Sequence, residues 1–485
     1  MFSTARSPFE AKWIQKHNEL EELYAKGIYQ PVLFHHFLLF LGPAIGALLI
    51  PHRLKPNLRY TRYLAFMWIT VYGIWMMQTC RTSVGGNGFC IGVFVSTVIV
   101  RSALILVLHD PETEFKRLEK SYDQVEASSE TPVLDNDRCI PSPAVKESRE
   151  ILFWQGYPHN FGHRVMWVLC LLCSRRGSFW NWRITTTRRT PNIISKEAHQ
   201  GRVHSNPASD WTQQHRESTI QRLRKSLYIA AGAYLQLLLV KRLVFHDPYF
   251  WGQIDAELHV PILPWSWSFP ASCLVSRLYR FAMYTYSLTC FISLFHSLSL
   301  SVPLALGTFF PHISFLTLKT PMDQHWMIPD AFGPPSSIWT HGLPGLSGIY
   351  WHQFFRFDFI SYSAWILSCF PVRLRASPIF KSLVYLVVPS VISAGIHMAG
   401  SFTQFAQTKP MRNMMTGFLL HGLFTGAHRV WLTVIYPQFV APRFNVPHVV
   451  RGLGNLVVTS VGLFLSMSLC SQDHILGGGA VDSLV

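Results

Sequence analysis

The chain has 485 residues, of which 49% are hydrophobic and only 14% are charged, and its formal net charge is +16 at pH 7. A soluble globular protein usually carries about 25% charged residues, so this composition speaks against a water-soluble domain and indicates a lipid environment. The apolar runs are continuous and lack the alternation of a β-barrel, so only helices satisfy their backbone groups in a membrane. We therefore predict an all-α fold, a polytopic transmembrane helical bundle.

Residues 1–30 form a polar, amphipathic N-terminal segment without the apolar core of a cleaved signal peptide. Residues 31–108 are predicted to hold the first three transmembrane helices. Crossing a hydrocarbon core of about 30 Å takes about 20 helical residues. Over the whole chain, apolar runs that reach or approach this length predict eight or nine spans: 32–50, 63–80, 89–108, 226–245, 281–310, 357–370, 378–402, 414–439 and 449–470.

Residues 109–225 are predicted to be a long charged cytosolic loop. Its acidic part, from His109 to Glu150, is typical of a solvated and partly disordered segment. Its basic part, from Ser174 to Lys225, holds eleven basic and three acidic residues. Polytopic proteins concentrate such charges in cytoplasmic loops, so we favour this cause over the alternative, nucleic-acid binding. The apolar segment 163–174 is too short to span and is predicted to lie in the membrane interface.

The sequence lacks the phosphate loop, the HExxH zinc helix and the GxSxG nucleophile elbow. Cys170 and Cys173 form a lone CxxC with no second pair, so we predict no metal centre and no bound cofactor. If the protein is an enzyme, its site consists of residues inside the bundle. We predict that residues 226–472 form this catalytic transmembrane core and that residues 473–485 form a C-terminal tail.

His397 is the most informative ionisable residue of the predicted core, because ionisable groups inside a membrane are costly and often functional. Ser393 lies one helical turn before it. Burial favours the neutral imidazole, which can accept a proton as a general base does. The alternative is a histidine that packs or bonds helices together.

Other polar residues in apolar runs are less specific. His421 and His428 are seven residues apart and share a helix face, so they line one cavity or bond neighbouring helices. We interpret Arg101 and His296 as structural.

The stretch IYWHQFFRFDF, residues 349–359, surrounds His352 with six aromatic residues. Gln353 adds an amide, and Arg356 adds a cation one turn after the histidine. The alternative to a site is an interfacial aromatic belt with a snorkelling arginine. Such a belt does not require a His-Gln pair.

These residues carry a resemblance to a known family. Trp351-His352-Gln353 followed by Phe355-Arg356 resembles the WHQ-x-FR core of the wax synthase-like family, in the membrane-bound O-acyltransferase superfamily. Upstream, RGSFWNWR is similar to that family's Arg-Gly-x-Gly-Trp-x-Trp signature, with Phe179 in place of the second glycine. Downstream, SAGIH at His397 resembles its Ser-Gly-x-x-His segment. The chain departs from the pattern just before WHQ, where it reads LSGIY (346–350).

The resemblance implies a multi-pass membrane enzyme, expected in the endoplasmic reticulum, that transfers an acyl group from acyl-CoA to a hydrophobic alcohol. It further implies that His397 is the base and that His352 is its catalytic partner. Residues expected to bind the substrate or the donor are Trp351, Gln353, Phe355, Arg356, Ser393, Arg176, Trp180 and Trp182.

Fungal members of this family acetylate terpenoid and meroterpenoid alcohols in secondary metabolism, and the size of this chain resembles theirs. The expected cosubstrate is therefore acetyl-CoA. Two alternatives stay open: a long-chain wax or sterol ester synthase, and a transporter or lipid-binding membrane protein without acyl-transfer chemistry.

Overall fold

The computed structural model describes residues 8–126, 146–184, 218–259, 268–309, 329–351, 353–406 and 408–480, and the single residues 192 and 327. His352, one of the two histidines predicted to be catalytic, lies outside the described residues.

Helices dominate the described part of the chain. In chain order they are α1 (Pro8–Ala25), α2 (Phe34–Leu49), α3 (Thr61–Thr79), α4 (Val84–Asn87), α5 (Phe89–Ala103), α6 (Pro111–Glu114), α7 (Phe161–Cys173), α8 (Thr219–Val244), α9 (Leu274–Phe309), α10 (Ser336–Gly345), α11 (Arg356–Ser368), α12 (Val372–Ala376), α13 (Pro378–Thr403), α14 (Thr416–Val430) and α15 (His448–Leu476). Short 3₁₀ turns occur at Pro56–Leu58 and Pro248–Trp251, and π-helical segments at Leu104–Leu108, Leu346–Tyr350, Pro410–Met415 and Trp431–Val440.

The predicted helical fold is confirmed, and every apolar run identified in the sequence coincides with a helix. Among the described residues, five helices are long and apolar enough to cross a membrane: Phe89–Leu108, Thr219–Val244, Leu274–Leu306, Pro378–Thr403 and His448–Leu476. The predicted count of eight or nine spans is therefore not confirmed. Two further apolar helices, Phe34–Leu49 and Phe161–Cys173, are shorter.

A β-hairpin interrupts the region expected to be a charged loop. Strand β3 (Arg117–Glu126) pairs antiparallel with β4 (Lys146–Gln155). The other strands in the described residues are two-residue pairs: β1 (Gln30–Pro31) with β2 (Cys80–Arg81), and β5 (Leu258–His259) with β6 (Ser268–Phe269). The hairpin carries many charged residues, so hydropathy gave no indication of it.

The chain divides into two compact units. The first comprises Met1–Asp110, Ile229–Ser297 and Ala331–Val485, and the second comprises Pro111–Tyr228 and Leu298–Asp330. The first unit contains α13, α14 and α15, with the predicted base, and the second contains the RGSFWNWR stretch.

Two buried ion pairs fix helices of the first unit. Arg101 of α5 donates to Asp358 of α11 at 2.7 Å, and both side chains are at most 3% exposed. Arg280 of α9 makes two hydrogen bonds, at 2.8 and 2.9 Å, with Asp247, which caps the turn Pro248–Trp251. Charges buried in pairs in this way are structural, as expected for Arg101.

Candidate active site

His397 lies in the second half of α13. This helix begins at Pro378, and the Ser377 hydroxyl caps it by accepting the backbone N–H of Phe380 at 3.3 Å. The His397 Nδ1 atom is 2.8 Å from the carbonyl oxygen of Ser393. A carbonyl only accepts, so Nδ1 carries the proton and Nε2 is left as the basic nitrogen.

The His397 ring stacks on Phe418 of α14, with centroids 4.0 Å apart and planes at 22°. Stacking and the Ser393 contact together fix the direction in which Nε2 points. A base must be held in one orientation to meet its substrate, so both contacts suit general-base chemistry. Ser393 thus contributes its backbone carbonyl to the site.

Helix α14 carries a second contact on the same face. His421 lies three residues after Phe418, and its Nε2 is 2.8 Å from the Ser347 hydroxyl. Its Nδ1 is 3.4 Å from Ser466 Oγ, whose own proton is donated to Gly462. Nδ1 is therefore the donor of His421, and Ser347 donates to Nε2. Ser347 belongs to LSGIY, the segment that departs from the family pattern.

Gln353 holds the backbone before it in place. It has φ 56°, a left-handed conformation that non-glycine residues rarely adopt. Its amide nitrogen donates to the carbonyl oxygens of Ser347 at 3.0 Å and Trp351 at 2.7 Å. Arg356 donates to the Gln353 amide oxygen at 3.1 Å and to the Gly348 carbonyl. The amide and the guanidinium thus shape the LSGIY-WHQ loop itself, rather than pointing two free donors at a substrate.

The aromatic residues of the loop form its walls. Trp351 packs against Phe332, with ring centroids 5.5 Å apart. Phe355 packs against Phe359 at 6.0 Å within the start of α11. These contacts favour an ordered segment with packed aromatic side chains over the alternative, an interfacial aromatic belt.

His428, in contrast, bonds helices together. Its Nδ1 accepts the backbone N–H of Leu343 at 3.3 Å. Gly342, with φ +57°, lies so close to the ring that a Cβ there would be 2.1 Å from His428 Cε1. The structural alternative raised for this histidine fits these contacts.

Asp473 lies in the segment predicted to be a C-terminal tail, so the sequence prediction missed it. Helix α15 continues to Leu476, and Asp473 is completely buried. Its carboxylate accepts hydrogen bonds from the Ser401 hydroxyl, from the Lys409 backbone N–H at 2.8 Å and from Asn413 at 3.0 Å. Ser401 lies one turn after His397, so this carboxylate fixes the end of α13 that carries the predicted base. The hydrophilic SQDH at residues 471–474 was the available signal.

His474, the next residue, also belongs to this end of the bundle. Its ring packs edge-on against Phe89 at 4.6 Å, and its Nδ1 atom is buried without a hydrogen-bond partner among the described residues. A Cβ on Gly479 would be 2.1 Å from its Nε2.

The second unit contains the upstream stretch. Gly177, with φ +62°, turns the chain so that Trp180 becomes 1% exposed and packs edge-on against Trp167 at 4.9 Å. Trp182 stacks on Trp180 at 6.1 Å. The carbonyl of Phe179, which replaces the second family glycine, accepts the N–H of Leu118 at the edge of β3. The tryptophans therefore pack the core of this unit.

Of the two arginines in this stretch, Arg176 is buried and Arg183 is half-buried. Arg176 donates to the Asp330 carbonyl at 2.6 Å, and Arg183 donates to the Met327 carbonyl at 3.1 Å. Burial lowers the pKa of each to about 10, and for Arg183 the neighbouring Arg176 charge adds to this effect. Both remain cations at neutral pH, so the unit keeps two positive charges close together.

The match to a protein family covers the loop and the predicted base. Residues 328–420 match the model of the membrane bound O-acyl transferase family. The matched segment contains Trp351, Gln353, Ser393 and His397. It supports the superfamily and an acyltransferase activity at a membrane. Neither a curated protein nor a solved structure matches the chain.

Proposed function

We propose that this protein is an acyl-CoA-dependent O-acyltransferase of the membrane, transferring acetyl from acetyl-CoA to a hydroxyl group of a terpenoid or meroterpenoid. The observation that carries the proposal is the His397 ring, held by the Ser393 carbonyl and by Phe418 with Nε2 left basic. The family match over residues 328–420 supports the same class of chemistry. The wax synthase-like motifs support the finer assignment, including a site in the endoplasmic reticulum membrane.

The proposed mechanism needs no covalent enzyme intermediate. His397 Nε2 removes the proton of the alcohol as its oxygen attacks the thioester carbonyl. The tetrahedral intermediate then collapses, the ester forms, the carbon–sulfur bond breaks, and the CoA thiolate takes the proton from the imidazolium. In this proposal His352 stabilises the developing oxyanion, a role that requires a donor held near the carbonyl oxygen.

The loop LSGIY-WHQ is proposed to select the alcohol. Ser347 connects it to His421 of α14, which also carries the Phe418 ring that stacks on His397. A change in the shape of this loop therefore moves the face of α14 that carries His421 and Phe418, and with it the ring that stacks on His397. Arg356, the cation of this segment, is proposed to attract the CoA phosphates through its charge, since guanidinium groups pair well with phosphate.

The test uses microsomes containing the protein, acetyl-CoA labelled in the acetyl group, and a panel of hydroxylated terpenoids. We expect labelled esters with the wild type and a loss on the order of a hundredfold or more with His397→Ala, as for removal of a general base. His448→Ala is the matched control, because His448 is an exposed histidine at the start of α15.

Three results would redirect the proposal. Full activity in His397→Ala contradicts the assigned base. Transfer from long-chain acyl-CoA alone identifies a wax or sterol ester synthase. An inactive wild type with every donor favours a transporter or lipid-binding protein, since such a protein handles acyl-CoA without breaking its thioester.

A further inference from the structure

An apolar groove lies on the first unit, where the end of α3 meets the end of α13 and the turn Pro410–Met415. Its apolar walls come from Met77, Met398, Ala399, Phe402, Pro410 and Met411. Phe402 is 47% exposed and Met411 is 65% exposed, so the groove is open at the surface of the bundle. On a bundle with candidate membrane spans, exposed apolar side chains of this kind face the acyl chains of the lipid.

The groove lies at one end of the candidate membrane spans. The span Pro378–Thr403 ends there, and the Thr403 hydroxyl donates at 2.9 Å to Gly88, which directly precedes the span Phe89–Leu108. At the ends of spans, the hydrocarbon core gives way to the lipid headgroups. A molecule in this groove therefore contacts both regions.

The mouth of the groove is positively charged. Lys409 and Arg412 line it, and both are exposed. Arg81 lies beside the walls, with its guanidinium 5.8 Å from the Phe402 ring centroid and donating to the Met77 carbonyl at 2.7 Å. Cations at headgroup level attract lipid phosphates. The nearby carboxylate of Asp473 is completely buried and accepts three hydrogen bonds from protein donors.

The groove does not share the helix face of the proposed base. Successive residues of an α-helix are about 100° apart, so Met398 and Phe402 project roughly 100° and 140° away from His397. The His397 ring instead stacks on Phe418 of α14. A ligand in the groove is therefore turned away from the base, which argues against the acyl donor as its occupant.

We propose that the groove binds an anionic phospholipid of the surrounding bilayer. One acyl chain lies along Met77, Met398 and Phe402, and the phosphate contacts Lys409 and Arg412. Apolar walls that end in two cations match the two parts of such a lipid. This site is separate from acyl transfer and does not depend on it.

The test measures lipid binding to the purified full-length protein in detergent. Phosphatidylglycerol and phosphatidylcholine are titrated separately, and native mass spectrometry counts the bound lipids. We expect the wild type to prefer phosphatidylglycerol. The double variant Lys409→Gln/Arg412→Gln should lose affinity for it on the order of thirtyfold, the product of two cation–headgroup attractions, with little change for phosphatidylcholine.

The matched control is Arg373→Gln/Arg375→Gln, which removes the same charge from exposed positions of α12. Ala399→Leu fills the groove and should weaken binding of both lipids while thermal unfolding shows a folded protein. The proposal is overturned if the Lys409/Arg412 variant loses no more lipid than the control. It is also overturned if acyl-CoA displaces the bound phosphatidylglycerol, which would make the donor the occupant. Ester formation, measured in parallel, tests the proposed function independently.

Discussion

The hydroxyl group of Ser347 lies 2.8 Å from Nε2 of His421, joining the loop before WHQ to a histidine within an apolar helix. Three residues earlier on the same helix, Phe418 stacks on His397. One face of α14 therefore touches both the loop proposed to select the alcohol and the proposed base.

Replacing Ser347 with alanine should alter alcohol selectivity. Ser347→Ala removes the hydroxyl from His421 but keeps the Ser347 carbonyl that Gln353 uses. We expect the KM for the alcohol to change severalfold while the KM for acetyl-CoA stays the same, in steady-state assays with both substrates varied. Ser336→Ala, at an exposed position of α10, is the control. Equal shifts in both KM values would contradict a role of the loop in alcohol selection.

The left-handed backbone of Gln353 gives a test of stability. Gln353→Ala loses the amide contacts and keeps an unfavourable φ of 56°, whereas Gln353→Gly loses the contacts but adopts this φ without strain. The glycine variant should therefore be more stable than the alanine variant by about 1 kcal/mol. Thermal unfolding in detergent compares the two. An alanine variant at least as stable as the glycine variant would show that the loop relaxes.

Removing one partner of the buried pair between Arg101 and Asp358 should lower the stability of the protein strongly, whereas replacing both partners with apolar residues should lower it little. Asp358→Leu removes the carboxylate from the buried Arg101 guanidinium and should destabilise the protein by about 3–5 kcal/mol. The double variant Arg101→Met/Asp358→Leu should recover most of this loss. The same thermal unfolding assay compares the two variants. If the double variant is as unstable as the single variant, the loss of stability does not come from the buried charge that remains.

The ion pair between Arg62 and Asp110 provides a partly exposed comparison. The two side chains are 2.9 Å apart, with Asp110 41% and Arg62 12% exposed. Because water reaches the Asp110 carboxylate and screens the pair, Asp110→Asn should cost about 1 kcal/mol or less.

Asp473 should affect activity because its carboxylate holds the end of α13 in position. Asp473→Ala removes the acceptor for Ser401, Lys409 and Asn413, so we expect less folded protein and a lower kcat per folded molecule. Asp473→Asn keeps one carbonyl oxygen and should retain most of both. Fluorescence-detected size exclusion gives the folded amount, and the microsomal assay gives the activity. If the two variants behave alike, the carboxylate does not position this helix end.

Hydropathy along the sequence determined where the helices lie, because each apolar run reflects a local requirement of the membrane. It also identified His397, since an ionisable residue in such a run is visible without any partner. The WHQ and RGSFWNWR stretches were likewise readable from the sequence. Whether every run crosses the membrane remains a prediction, and so do the catalytic roles of His397 and His352.

The partners of these residues were decided by tertiary structure alone. Ser347 meets His421 across 74 residues, Ser401 meets Asp473 across 72, and Arg101 meets Asp358 across 257. Local periodicity shows which face of a helix is polar but not which helix packs against it. For the same reason, only the packed structure shows that the Gln353 amide donates to carbonyls of its own loop. It alone also shows that Asp473 is buried at the end of a helix.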